Sequence, residues 1–187
     1  MKVIALKGEK DSGKSTTLKK VHELLMAAGG EQEPDCIKNL EGDPEDIRDV
    51  INFAGKKIGI VTQGDYGKDY EETYKGENEP SRTSLSVRDH LILLIALECD
   101  IAICACTTGK NIEEDIKTII IGEEKDINFI DKDGKIIRTI KIENKVIKTR
   151  FIDKEKSKCE SLQQIENTLK TMEIIQILKL WLSGLTE

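Results

Sequence analysis

The chain has 187 residues, 38% hydrophobic and 34% charged, which suffices for one substantial buried core and is too little for two comfortable ones. Its net charge of −6 weighs against a binder of nucleic-acid backbone, which needs clustered excess Lys and Arg, and an aromatic content of 4% leaves few rings on which bases can stack. Small molecules or proteins are the expected partners, with no nucleic acid.

Met1–Lys7 holds a short apolar run, Val3–Leu6, that meets charge at Lys7 and then a glycine, the pattern of a buried parallel strand. The run is too short for the core of a signal peptide, and no stretch reaches the roughly 18 unbroken apolar residues of a membrane span. No membrane partner is expected, and the expected location is cytoplasmic. Ser15–Ala28 follows with helical spacing at Leu18, Val21 and Leu25, ended by Gly29-Gly30. Glu31–Glu45 is acidic and irregular, a long loop with a short strand near Cys36–Lys38.

In Asp46–Asp65, Val50, Ile51 and Phe53 favour a strand, Gly55 a turn, and Lys57–Thr62 the second strand of a hairpin. Tyr66–Thr83 is polar, with the character of a surface segment. Ser86-Val87-Arg88-Asp89 matches a capping box and opens an apolar helix through Leu97. Ile101–Cys106 reads as a buried strand, and Asn111–Ile121 starts as a helix. Asp126–Phe151 is β-like, with turns at Asp131–Gly134 and Glu143–Lys145. Leu162, Ile165, Leu169, Met172, Ile175, Leu178 and Leu182 then recur every three or four residues, marking a long amphipathic helix entered at Ser161 and left at Gly184. Its stripe is expected to face the core, with length to spare for a homodimer contact.

Five cysteines include no Cys-x-x-Cys pair, and on a strand Cys104 and Cys106 point to one face. They are expected to be buried, reduced thiols. His22 and His90 have no ligand-spaced partner and are not expected to bind metal. The alternation of strands and helices predicts a single α/β domain over 1–187 with a mostly parallel sheet. An antiparallel edge strand joins that sheet, a β-hairpin elaboration spans 126–152, and a C-terminal helix spans 161–183.

The chemistry resides in Gly8-Glu9-Lys10-Asp11-Ser12-Gly13-Lys14-Ser15, which fits Gly-x-x-x-x-Gly-Lys-Ser/Thr without a departure. Glycines allow positive φ and close approach of backbone to phosphate oxygens. Successive N–H groups and the start of a helix form a concave anion site. Lys14 is long enough for the β- and γ-phosphates, and Ser15 places a hydroxyl on a bridging magnesium ion. The expected phosphate-binding residues are therefore Gly8, Ser12, Gly13, Lys14, Ser15 and Thr16.

With a strand before it and a helix after it, this motif resembles that of the P-loop NTPase superfamily, in the manner of its small nucleotide kinases. The resemblance extends over the α/β alternation as far as Cys106. It implies a three-layer sandwich, a nucleoside triphosphate (ATP or another) and Mg2+. The charged Glu9, Lys10 and Asp11 depart from the small residues usual between the glycines. The resemblance also calls for a carboxylate at the end of a neighbouring strand, holding magnesium through water, and Asp65 after Thr62-Gln63-Gly64 fits best, with Thr62 a candidate for bonding the water or γ-phosphate.

Arg82 and Arg88 fit the cations that close over a transferring phosphoryl group, and Lys110, just beyond Ile101–Cys106, fits a nucleotide contact at the sheet's carboxyl edge. Lys14, Asp65, Arg82 and Arg88 are the expected catalytic set, and Ser15 and Asp65 the expected metal ligands. The Asn-Lys-x-Asp sequence of GTPases is missing, which favours adenine, and no Asp-x-x-Gly switch follows the Lys57–Thr62 strand. The implied activity is that of a small-molecule kinase or related phosphotransferase acting on an unidentified acceptor. The alternatives are an ATP-dependent switch or ATPase acting on a protein partner, and a non-catalytic ATP-binding module.

Overall fold

The computed structural model describes residues 1–34, 38–39, 46–64, 86–108, 112–121, 125–130, 136–142, 149–157 and 159–184. Strand β1 (Lys2–Gly8) turns Val3 and Ala5 to one side and Ile4 and Leu6 to the other, all four buried. A strand apolar on both faces must lie inside a sheet covered twice. Helix α1 (Lys14–Ala27) follows, then β2 (Glu31–Gln32), β3 (Lys38–Asn39), β4 (Ile47–Phe53) and β5 (Lys56–Val61). After α2 (Val87–Ala96) come β6 (Ile101–Thr107), α3 (Ile112–Ile121), β7 (Lys125–Ile130), β8 (Ile136–Ile142), β9 (Thr149–Lys154) and α4 (Glu160–Leu182).

Among the described residues the main sheet has seven strands in the order β2-β4-β5-β6-β1-β9, with β3 also on β4. Strands β5, β6, β1 and β9 are mutually parallel, while β4 runs antiparallel to β5 as the expected hairpin. Leu18, Val21 and Leu25 of α1 and Ile174, Leu178 and Trp181 of α4 close one face over Ile4, Leu6, Ile60 and Ile103. Val87, Leu91 and Leu94 of α2 and Ile112 and Ile116 of α3 close the other over Val3, Ala5, Val61 and Cys104. The α/β class, the parallel centre and the antiparallel flank agree with the expectation from sequence.

Local signals explain several of these elements. Ser86 caps α2 by accepting from the Asp89 N–H, and the Asp89 carboxylate accepts from the Ser86 N–H, closing the reciprocal box. His22 of α1 lies 2.8 Å from the fully buried Asp49 carboxylate on β4, which also accepts from Gln32 Nε2 at 2.6 Å. This histidine ties α1 to the antiparallel flank. Cys104 and Cys106 are buried on the α2–α3 face, and burial pushes both thiols up, that of Cys106 to about 11.

Gly59 on β5 is set by packing: a Cβ there would stand 2.5 Å from Cδ1 and 2.6 Å from Cδ2 of Leu94 on α2. Gly59→Ala is expected to cost about 1–3 kcal/mol through overpacking, read as a lower urea midpoint with an unchanged slope.

Two expectations are corrected. The 126–152 segment is not one elaboration: β7 and β8 pair antiparallel in a two-stranded sheet of their own, whereas β9 joins the main sheet parallel to β1. Ile152 packs into the α1–α4 core and Phe151 against the opposite one, so β9 has the two-sided burial of a sheet strand.

The stripe on α4 is also divided. Leu162, Ile165, Leu169 and Met172 are 51–60% exposed, while Asn167, Thr171, Ile174, Ile177, Leu178 and Trp181 turn inward. Only the second half of the helix rests on apolar core. Its first half meets polar backbone, described next.

Candidate functional site

Four parallel strands end at one edge of the sheet, and the glycine-rich segment starts there. Gly8 closes β1 and pairs in register with Thr107 of β6 on one side and Lys154 of β9 on the other. Beyond the strands, Thr108 N–H donates to the Gly8 carbonyl (3.0 Å) and Thr107 N–H to the Gly64 carbonyl (2.8 Å). The chain then turns through Asp11, at φ 60, and Gly13, at φ 81 and ψ 25, into the first turn of α1. That turn carries no acidic side chain, so its N–H groups present the positive end of the helix dipole unopposed.

Lys14 is 7% exposed and folds back over the loop, its ammonium donating to the carbonyls of Gly8 (3.0 Å) and Glu9 (2.6 Å). Ser15 Oγ donates to the carbonyl of Thr62 at 3.1 Å, which links the start of α1 to the end of β5. The donated proton leaves the hydroxyl lone pairs free to accept or to ligate. Thr16 is exposed in the same turn, whereas Thr17 is buried and donates to the Gly13 carbonyl at 2.9 Å. Gly64 comes close to the loop: a Cβ on it would stand 3.2 Å from Lys14 Cε.

Helix α4 holds the loop from the side. Gln163 Nε2 donates to the Asp11 carbonyl (3.1 Å), Thr17 Oγ1 lies 3.4 Å from Asn167 Oδ1, and Thr171 Oγ1 lies 3.4 Å from the Thr17 carbonyl. A Cβ on Gly13 would stand 2.6 Å from Asn167 Oδ1, so the helix and the loop touch at that residue. Two buried polar atoms here have no hydrogen-bond partner among the described residues: Ser12 Oγ and Lys154 Nζ. Burial holds the Lys154 ammonium below its ordinary pKa, with Glu166 opposing that shift and Lys170, Lys14 and Lys20 adding to it.

On the other face of the sheet, at the same edge, His90 of α2 is buried between Arg48 and Gln63. An Arg48 guanidinium N–H lies 3.3 Å from His90 Nδ1, and Gln63 Oε1 lies 3.3 Å from His90 Nε2. Arginine only donates, so Nδ1 is the bare acceptor and the ring proton sits on Nε2, donating to Gln63. Arg88 stands in the first turn of α2, its Nε buried and without a hydrogen-bond partner among the described residues.

Gly8, Ser12, Gly13, Lys14, Ser15 and Thr16 are thus assembled in one loop and helix turn. Asp65, Arg82 and Lys110 lie outside the described residues, as do Tyr66–Thr83 and the Asp131–Gly134 turn.

Three details differ from the sequence reading. Strand β5, which leads to Asp65, is not a neighbour of β1, since β6 lies between them. The Thr62 hydroxyl serves structure, accepting from Ile47 N–H at 2.7 Å and lying 2.9 Å from Asp46 Oδ1, so it is the Thr62 carbonyl that reaches the site. Gln163, Asn167, Thr171 and Lys154 were not foreseen. For the first three the signal is a polar line at helical spacing on a helix otherwise sorted by its leucines. Among the described residues no helix is long and apolar enough to cross a membrane. Comparison with protein-family models, with curated proteins and with solved structures finds no match to this chain.

Proposed function

We propose that the chain binds the phosphates of a nucleoside triphosphate, with ATP the preferred one, and works as a small-molecule kinase or related phosphotransferase. The observation that carries this reading is the loop from Gly8 to Lys14. It places a left-handed glycine, an unopposed helix N-terminus and a buried lysine around one point at the carboxyl edge of the parallel strands. Edges of this kind are where α/β sheets bind ligands.

On binding, Lys14 exchanges its two loop carbonyls for phosphate oxygens, a charge-assisted bond in place of two neutral acceptors. Ser15 keeps its donated bond to Thr62 and offers a lone pair to magnesium. Magnesium, when bound, neutralises charge on the β,γ-oxygens during transfer. Asp65, next after Gly64, is the carboxylate assigned to orient that ion through water, and Arg82, Arg88 and Lys110 are the cations assigned to the transferring group.

Thermal unfolding tests the binding claim. A ligand at one hundred times its Kd stabilises the folded state by about 2.7 kcal/mol, and Lys14→Ala is expected to lose this response to Mg-ATP, measured as the shift from the variant's own unliganded midpoint. Persistence of the response in the variant would refute the assignment.

A second reading, a nucleotide-dependent switch for a protein partner, draws on α4. The turns that bond Asp11 through Gln163 also expose Leu162, Ile165 and Leu169, so a shift of the loop would move an apolar surface. The two readings separate on whether a small acceptor or a protein accelerates phosphate release from ATP.

A further inference from the structure

Lys154 ends β9 directly opposite Gly8, the residue at which the loop begins. It is 3% exposed, and its ammonium has no hydrogen-bond partner among the described residues. Lysines with long stems ordinarily carry the charge out to water, and a buried cation without a partner costs several kcal/mol. Such an arrangement persists where a second charge arrives to complete it.

Three further observations indicate which charge that is. Ser12 Oγ is likewise buried and without a partner among the described residues, and it lies 2.7 Å from where a Cβ on Gly8 would stand; the Cβ of Lys154 lies 3.4 Å from the same point. One orphaned hydroxyl and the stem of the lysine that carries the orphaned ammonium therefore flank the first glycine of the loop. Next, α1 is a 14-residue helix whose N-terminus opens beside them with no acidic residue in its first turn. Finally, Lys14, Lys20 and Lys170 are near enough to repel the Lys154 ammonium, with Glu166 the carboxylate that attracts it. Lys20 is bonded to Thr168, Lys170 to Glu173 and Lys14 to the loop carbonyls, which leaves Lys154 as the unsatisfied member of the group. In a chain of net charge −6, three further ammonium groups thus lie within electrostatic reach of Lys154.

We propose that Lys154 is a second phosphate-binding cation, bonding one oxygen of a nucleotide's polyphosphate chain while Lys14 bonds another. The inference rests on the phosphate-loop reading above and extends it to a residue far along the chain. The two lysines approach Gly8 from different elements, β9 and α1, so they grip two oxygens of one extended anion. A polyphosphate chain offers several oxygens along its length and so can satisfy both cations. The Ser12 hydroxyl donates to the same anion.

Calorimetric titration of the wild type, Lys14→Ala and Lys154→Met with Mg-ATP and with inorganic tripolyphosphate tests this. Lys154→Met is expected to weaken both ligands roughly 10-fold to 100-fold, the range of one hydrogen bond to a charged group. Its unliganded thermal midpoint should equal or exceed that of the wild type, because an unpaired buried charge has been removed.

A lysine with a purely structural role gives the opposite pair of results: a lower midpoint and unchanged affinity. Equal affinity in the wild type and Lys154→Met overturns the Lys154 assignment and leaves the phosphate loop standing. Absence of binding in the wild type overturns both. If Lys154→Met does not fold, the Lys154 side-chain nitrogen resonance of the wild type decides: it moves on adding tripolyphosphate, and a stationary resonance refutes the proposal.

Discussion

Gly13→Ala is expected to lower folding stability by about 2–4 kcal/mol and to eliminate stabilisation by Mg-ATP. The residue sits at φ 81 and ψ 25, where a side chain adds about 1–3 kcal/mol of backbone strain. The new methyl would also stand 2.6 Å from Asn167 Oδ1 and 3.1 Å from Gln163 Nε2, so α4 has to withdraw from the loop or the loop from α4. Either movement disturbs the Gln163 bond to Asp11 and the Gly13 carbonyl that accepts from Thr17.

Gly29 supplies the control. It has φ 93, but among the described residues no atom comes within 4 Å of where its Cβ would stand, so Gly29→Ala shares the strain without the crowding. That control should lose about 1 kcal/mol and bind nucleotide normally. Urea titrations with and without Mg-ATP read both quantities, and a Gly13→Ala protein that still responds to nucleotide would contradict the role given to this contact.

The second large effect concerns acid. Burial, reinforced by the Arg48 guanidinium, pulls His90 down from 6.5 to about 3. Nδ1 accepts from Arg48, so protonation there both breaks that bond and sets two positive charges together inside the protein. In the unfolded chain His90 takes up its proton near pH 6.5, whereas in the folded chain it does so only near pH 3. The unfolded state therefore binds more protons throughout that window, and stability falls as the pH is lowered through it.

The slope is about 1.4 kcal/mol per pH unit once the unfolded histidine is fully protonated, and roughly 4 kcal/mol over the whole interval. Above pH 6.5 this contribution is complete and constant. His90→Gln, which offers an amide donor and acceptor in place of the ring, should flatten the profile between about pH 6.5 and 4. Denaturant midpoints across that range measure it, and parallel profiles for the two proteins would show that the acid sensitivity arises elsewhere.

What the sequence revealed follows from which interactions are local. The strand, loop and helix around Gly8–Thr16 were legible because their determinants sit within one short stretch. The same holds for the Ser86–Asp89 cap and for the β4–β5 hairpin, whose partners adjoin in sequence.

Pairing between distant segments was not legible. A two-residue period says that Phe151 and Ile152 face opposite ways, but not that their strand lies beside β1. For the same reason nothing in Ile58–Val61 indicated that β6 would separate it from β1. Helix α4 misled for a different reason. Seven apolar residues at helical spacing suggested a core face, yet the first half of the helix packs on the backbone carbonyls of Asp11 and Thr17 and on the Thr17 hydroxyl, and polar side chains satisfy those groups better than leucines. The apolar side of that half is turned to solvent.

The position of β1 between β6 and β9 also governs the order in which this protein is built. The glycine-rich motif is synthesised early, but every strand and helix that fixes it comes later: β6, then β9 and, last, the α4 turns that bond Asp11. Contacts so far apart in the chain close slowly, because long loops must be ordered before the pairing rewards them. A nascent chain ending before β9 carries the complete Gly8–Thr16 segment with β6 but lacks β9 and the α4 turns, so the nucleotide binding proposed above should appear in one of the final steps of folding.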